Sequence, residues 1–246
     1  MSIHYLQRLT VMNNLKKYCV VCGFLFLLLV IYNLPVGDDG VVENKEIVNS
    51  GNISSVNGEA VSIRNNIDEL RARYNNNDIV ALLKIENTDL ESVVVKTDDN
   101  DYYLDHNLYK QIDKVGSTFM DYRNSVNDKK ILIYGHNSKT INTEFHVLEN
   151  YLEPSFYETH KKIELELENK EYTYNIFSIM IVKEDYQHMK LDFSIDEWKN
   201  HLRFLKDNSI YDTNQDININ DDIIILQTCY YNPSDSYLLV AGKKID

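Results

Sequence analysis

Cysteine is scarce in this chain. Of 246 residues only three are cysteines: Cys19 and Cys22 in an apolar N-terminal run, and Cys229 near the other end. Cys229 therefore has no partner for a disulfide outside that run, and a disulfide framework is excluded. Zinc-type spacing of Cys, His and Asp is absent too, so neither a metal nor any other cofactor is expected. Cys19 and Cys22 form a C-x-x-C pair, but inside an apolar span a thiol is simply a small hydrophobe. Positive charge is also short. Lys and Arg number 25 against 38 Asp and Glu, a net charge of −13. Phosphate backbones demand a positive field, so nucleic acid is excluded as a partner. No internal repeat is present. What the chain has is tyrosine (18) and phenylalanine (8), with 43% hydrophobic residues overall. That composition favours strands over a helical bundle and suffices for one cored domain plus appendages.

Tyr18 to Leu34 is uncharged and 17 residues long, with Arg8, Lys16 and Lys17 before it and Asp38, Asp39 and Glu43 after it. Its length is at the short end of what spans a bilayer, roughly 17–25 residues. The charge bias predicts a cytoplasmic N-terminus (1–17), a transmembrane anchor (18–34) and an extracytoplasmic remainder, hence a single-pass location in the cell membrane. A cleaved signal peptide is the competing reading, but "YNLPVGDD" offers no small-x-small cleavage site. Residues 35–62 are polar and read as a flexible stalk, leaving 63–246 as the folded domain.

In that domain Ile63, Ile67, Leu70 and Tyr74 recur at helical spacing. From Ile79 the pattern becomes short strands: 79–86, 92–96, 117–122, 130–136, 162–168, 172–182, 223–229 and 237–244. "IELELE" within the fifth alternates apolar and acidic residues, as a half-buried strand does. Eight short strands point to a mainly β fold, a closed barrel or a sandwich, interrupted by helices. One helix is predicted over 143–152. Another spans 194–208, with Ser194 and Glu197 as a capping box and Ile195, Trp198, Leu202 and Leu205 as the apolar stripe.

Cys229 ends a strand and faces the polar turn "YYNPSDS". A thiol there is held by a rigid element yet can meet a substrate, and a neighbouring imidazolium would favour its thiolate. Of the seven histidines, His136 in "KILIYGHN" shares this strand-then-loop setting. Two readings stand at this point. One is a nucleophilic Cys–His pair. The other is a loop histidine and an unrelated buried cysteine.

The segments around these residues resemble a known family. "IIILQTC" resembles the L-x-T-C signature around the nucleophile of sortases, and "ILIYGHN" the segment that carries their histidine. "DNDYYLDHNLYK", "GSTFMDYRN" and the capped helix at 194–208 resemble class B in particular, in the family's order over roughly residues 64–246. The resemblance implies a closed eight-stranded β-barrel with an N-terminal helix and an extra helix between the sixth and seventh strands. It implies a cysteine transpeptidase of the Gram-positive envelope. Cys229 would be the nucleophile and His136 its acid/base partner, with cleavage of a sorting motif after its threonine through a thioacyl intermediate. Its partners would be sorting-motif-bearing surface proteins, an amine of a peptidoglycan precursor or a pilin, and the membrane through the N-terminal helix. Thr228, Gln227, Tyr186 and Leu104 would line the substrate groove.

One family feature is missing. Sortases carry an arginine on the last strand, which steadies the substrate carbonyl and the developing oxyanion. After Cys229 this chain reads "YYNPSDSYLLVAGKKI", without arginine. The arginine's place falls on Tyr237, or on Ser236 with a slip of one residue. Lys243 is six residues beyond Tyr237, roughly 20 Å along a strand, and cannot substitute. A sortase-fold binder of sorting motifs with weak or no turnover is therefore the alternative. Papain-like or L,D-transpeptidase-like enzymes are disfavoured, because neither C-G-S-C-W nor S-H-G-C occurs.

Overall fold

The computed structural model describes residues 66–183 and 186–245. Helix α1 (Asn66–Tyr74) leads into eight strands: β1 (Ile79–Ile85), β2 (Glu91–Val95), β3 (Phe119–Met120), β4 (Lys130–Tyr134), β5 (Lys162–Glu166), β6 (Glu171–Lys183), β7 (Ile223–Tyr230) and β8 (Ser236–Lys244). They close into a barrel in the order β1-β2-β3-β4-β7-β8-β6-β5. Two neighbouring pairs are parallel, β2 with β3 and β4 with β7, and the others are antiparallel. Helix α2 (Pro154–Tyr157) precedes β5, and α3 (Ile195–Asp207) lies between β6 and β7. The closed eight-stranded barrel with an extra helix before its seventh strand is the architecture expected.

Strand periodicity explains two separate cores. One apolar cluster takes a residue from every strand, among them Leu83, Val94, Met120, Ile133, Leu165, Ile179, Leu226 and Val240, and so fills the barrel. The other takes the opposite parity on β4, β7 and β8 (Leu132, Tyr134, Ile223, Ile225, Leu239) and is covered by Ile67 of α1 and Trp198, Leu202 and Leu205 of α3. Being covered on both sides, β4 is buried throughout, which is why its sequence is nearly continuous apolar residues. β5 alternates half-buried and buried positions, in keeping with "KIELE".

Two local expectations change. The 143–152 segment is a 3-10 helix, Glu144–Leu152. Its three fully buried side chains, Phe145, Leu148 and Tyr151, are spaced by three. At about three residues per turn such a set lies in line along one face. On α3 the capping box is present as expected, but Ile195 is 75% exposed and His201 is buried with Trp198, Leu202 and Leu205.

The membrane location is also corrected. Among the described residues no helix is long and apolar enough to cross a membrane. The longest helix among the described residues, α3, has 13 residues, about 20 Å at 1.5 Å per residue against a hydrocarbon core of about 30 Å. The 18–34 segment on which that expectation rested lies outside the described residues, as does the 35–62 stalk.

Candidate active site

β4 and β7 run parallel and side by side, with Tyr134 paired to Gln227. The ladder continues with Gly135 N donating to Gln227 O at 3.2 Å. Two residues past that pair stand His136 and Cys229, at the same end of neighbouring strands about 4.8 Å apart. Parity places both on the outer face. Tyr134 and Ile225 belong to the outer cluster, so His136 and Cys229, each an even number of residues further on, share that face. Gly135 confirms the alternation: a Cβ on it would meet the Phe145 ring at 2.5 Å, and Phe145 is part of the inner core. Cys229 is half-buried and not in a disulfide.

The imidazole is fixed from the far side. His136 Nε2 lies 2.8 Å from Leu104 O. A carbonyl can only accept, so Nε2 carries the hydrogen and Nδ1 is the basic nitrogen of the neutral ring. Leu104 thus acts through its backbone. Gly116, at φ +64°, makes this approach possible. A Cβ there would sit 2.6 Å from Leu104 O, 2.7 Å from Tyr103 O and 2.9 Å from His136 Cδ2, so no other residue fits.

Thr228 and Gln227 are placed as braces. Thr228 is buried, and its Oγ1 donates to Gly135 O at 2.7 Å, locking β7 to the segment that carries His136. Gln227 is buried and its Oε1 accepts from His188 Nε2 at 2.8 Å. His188 belongs to another 3-10 helix, Tyr186–Met189. The Tyr186 side chain is not among the described groups. This loop is held by two cations of the β3–β4 region. Lys130 Nζ donates to His188 O and Lys190 O, and Arg123 Nη2 donates to Met189 O at 3.1 Å. Arg123 also grips buried Asp121, which accepts from Tyr134 OH at 2.7 Å. Burial alone would raise the Asp121 carboxyl, but the Arg123 and Tyr134 hydrogen bonds hold it below its ordinary range. Burial pushes Tyr134 well above the ordinary phenol value. A carboxylate thus pins β4 at the residue two before His136.

The two positions that stand where an arginine was expected are unlike each other. Tyr237 is directly across from Cys229 in the β7–β8 register, so the two side chains share the outer face with Cβ atoms about 5 Å apart. Ser236 is across from Tyr230. It is buried, and its Oγ donates to Pro233 O and, at 3.3 Å, to Tyr230 O. Among the described residues no group of three or more His, Cys, Asp or Glu is placed to hold a metal ion. Reading the sequence missed Gly116, Asp121 and Arg123. All three stand in "GSTFMDYRN", and a glycine preceding a β-rich run was the only local signal.

A family model described as a sortase domain matches residues 83–244. Sortase B of Listeria monocytogenes is 32% identical over 179 residues, spanning 72% of this chain and 70% of that protein. The solved sortase B of Clostridium perfringens aligns with a TM-score of 0.67 at 30% identity, covering 73% of this chain and 99% of the other. A Staphylococcus aureus sortase B–substrate complex aligns with a TM-score of 0.69 at 28% identity, over 76% of this chain and 87% of that one. Family model, relatives and barrel agree, and the chain belongs to the sortase family of cysteine transpeptidases, within its class B.

Proposed function

We propose that this chain cleaves a sorting motif after its threonine and transfers the acyl part to an amine, with Cys229 as nucleophile and His136 Nδ1 as the acid/base. The observation that carries this reading is the parallel β4–β7 register, which sets Cys229 and His136 side by side on one face. His136 Nδ1 takes the proton of the Cys229 thiol, and the thiolate so formed attacks the threonine carbonyl carbon. The tetrahedral intermediate collapses, the C–N bond breaks, and the departing amine takes its proton from His136. An incoming amine of a peptidoglycan precursor or a pilin then attacks the thioester and gives a proton back to His136, while the thiolate leaves. The substrate complex of the S. aureus relative supports a sorting-signal substrate as donor, and in this reading the peptide lies along the outer face that carries Cys229 and His136.

The oxyanion donor in this reading is the Tyr237 hydroxyl. Tyr237 shares the face of Cys229, whereas Ser236 spends its hydroxyl on Pro233 O and Tyr230 O. A neutral donor gives roughly half the strength of a charge-assisted one, so turnover is slow. That same observation favours a second reading, a sorting-motif binder without turnover. Mass spectrometry after mixing the protein with sorting-motif peptides separates the two. A thioacyl adduct on Cys229 that disappears with an added amine supports the transpeptidase. Tight binding with no adduct at any time supports the binder.

A further inference from the structure

We propose that Asn137 is the positioning residue that fixes the spacing of Cys229 and His136. This inference rests on the reading that those two side chains carry the reaction. The regular β4–β7 ladder stops short of them. The pairing runs as far as Gly135 N to Gln227 O, where the Thr228 hydroxyl adds a bond to Gly135 O. Asn137, the residue after His136, bridges the gap with its side chain: Nδ2 donates to Cys229 O at 3.0 Å. One residue is thus joined to His136 by a peptide bond and to Cys229 by a hydrogen bond.

The amide is itself held in one orientation. It is 2% exposed. Nδ2 also donates to Glu149 Oε1, and Oδ1 lies 2.8 Å from His146 Nδ1. A backbone carbonyl and a carboxylate can only accept, so both must face the NH2 group. Oδ1 then faces His146 Nδ1, which carries the hydrogen. His146 and Glu149 are presented by the 3-10 helix Glu144–Leu152, whose Phe145 and Leu148 are rooted in the barrel core. The Asn137 backbone is tied down as well, with its carbonyl accepting from Tyr231 OH at 2.7 Å. Core packing is thereby transmitted through one buried amide to the reactive pair.

The role is tested on the whole folded domain with iodoacetamide as a substrate-independent probe, together with single-turnover thioacyl formation and melting. Asn137→Ala should slow thioacyl formation about 10- to 100-fold, the scale of an ångström-sized misplacement. It should also move the pH at which Cys229 alkylation reaches half its maximal rate. Asn137→Asp should do worse, because a carboxylate would face the Cys229 carbonyl and the Glu149 carboxylate. Glu149→Ala leaves the amide in place and removes one of its acceptors. It should give the same changes at about three- to tenfold, and it carries the test if the Asn137 variants do not fold. A lower melting point with wild-type turnover and an unmoved alkylation profile would show a merely structural asparagine and overturn the inference. Cys229→Ala run in parallel keeps the two questions apart. If that variant still forms product, the reading of the site is wrong. If it is dead while Asn137→Ala matches wild type, only the inference falls.

Discussion

In the proposed reading Cys229 and His136 are held by residues that do no chemistry: Leu104 through its carbonyl, Gly116 through its missing side chain, Thr228 through its hydroxyl. Cys229→Ala should abolish peptide cleavage while leaving the melting point nearly unchanged, since a half-buried sulfur adds little packing. His136→Ala should be comparably inactive, and the double variant no worse than either single one, because the two act as a unit. Steady-state rates on a sorting-motif peptide check both. Gly116→Ala introduces a Cβ 2.6 Å from Leu104 O at a positive φ. It should cost more than about 1 kcal/mol in urea denaturation and should also lower turnover, because the displaced carbonyl is the one that orients His136. Tyr237→Phe should slow thioacyl formation if its hydroxyl is the oxyanion donor. Tyr237→Arg should speed it by restoring a charged donor, within the 10²- to 10³-fold that such donors typically supply. If neither variant alters the burst rate, the donor is elsewhere. In "QTC" and "YGHN" the types of residue were legible at once. That Tyr237 and Cys229 are cross-strand neighbours, and Ser236 is not, needed the β7–β8 register, because a shift of one residue reverses every side chain's face.

Among the elements, α3 shows how far local chemistry reaches. Ser194 Oγ accepts from Glu197 N, and the Glu197 side chain accepts from Ser194 N. The hydrogen bond and charge of Lys190, with the Ser194 bonds, hold the Glu197 carboxyl down to about 2. Ser194→Ala should lower the unfolding free energy by about 1 kcal/mol with little effect on the reaction, measured by urea denaturation and turnover. The cap was readable because all its partners lie within four residues. The buried face was less so. A stripe starting at Ile195 satisfies helical spacing, but the barrel approaches the helix a turn later, where Trp198, His201, Leu202 and Leu205 are. The 3-10 helix at 144–152 follows the same logic. Its residues fit a helix of either pitch, and at three residues per turn Phe145, Leu148 and Tyr151 stand in line and all enter one core.

At the scale of the whole molecule, buried basic groups make stability depend on pH. His201 is pulled down to about 3, first by burial and then by Lys130, His188 and Lys190. Burial likewise holds Lys130 well below its ordinary range, with Arg123 adding to the effect. Lys130 Nζ and His201 Nε2 are 2.9 Å apart. A folded value below the unfolded one means that the unfolded chain binds more protons between the two, so stability rises with pH there. For His201 the window runs from the ordinary 6.5 down to about 3. Its contribution is intact above 6.5 and is lost as the pH falls. Between pH 7 and pH 5 the loss should be on the order of 2 kcal/mol, read as a lower urea midpoint. His201→Gln keeps an acceptor for Lys130 but does not titrate, so the midpoint should then fall less. An equal fall in both proteins would remove His201 as the cause.

The sequence by itself determined the eight strands, the capped helix, the acidic surface and the two residue types at strand ends, because each depends on periodicity or on neighbours a few residues away. Only the tertiary structure decided that β4 and β7 lie side by side and parallel, although 88 residues separate Tyr134 from Ile223. Only it placed Leu104 O and Gly116 beside His136 and the Asn137 amide on Cys229 O, and showed Gln227 bonded to His188 and Thr228 to Gly135. The reason is physical. A strand's pattern says which of its faces is apolar, but barrel closure chooses its neighbours and register, and these rest on the packing of the whole chain at once.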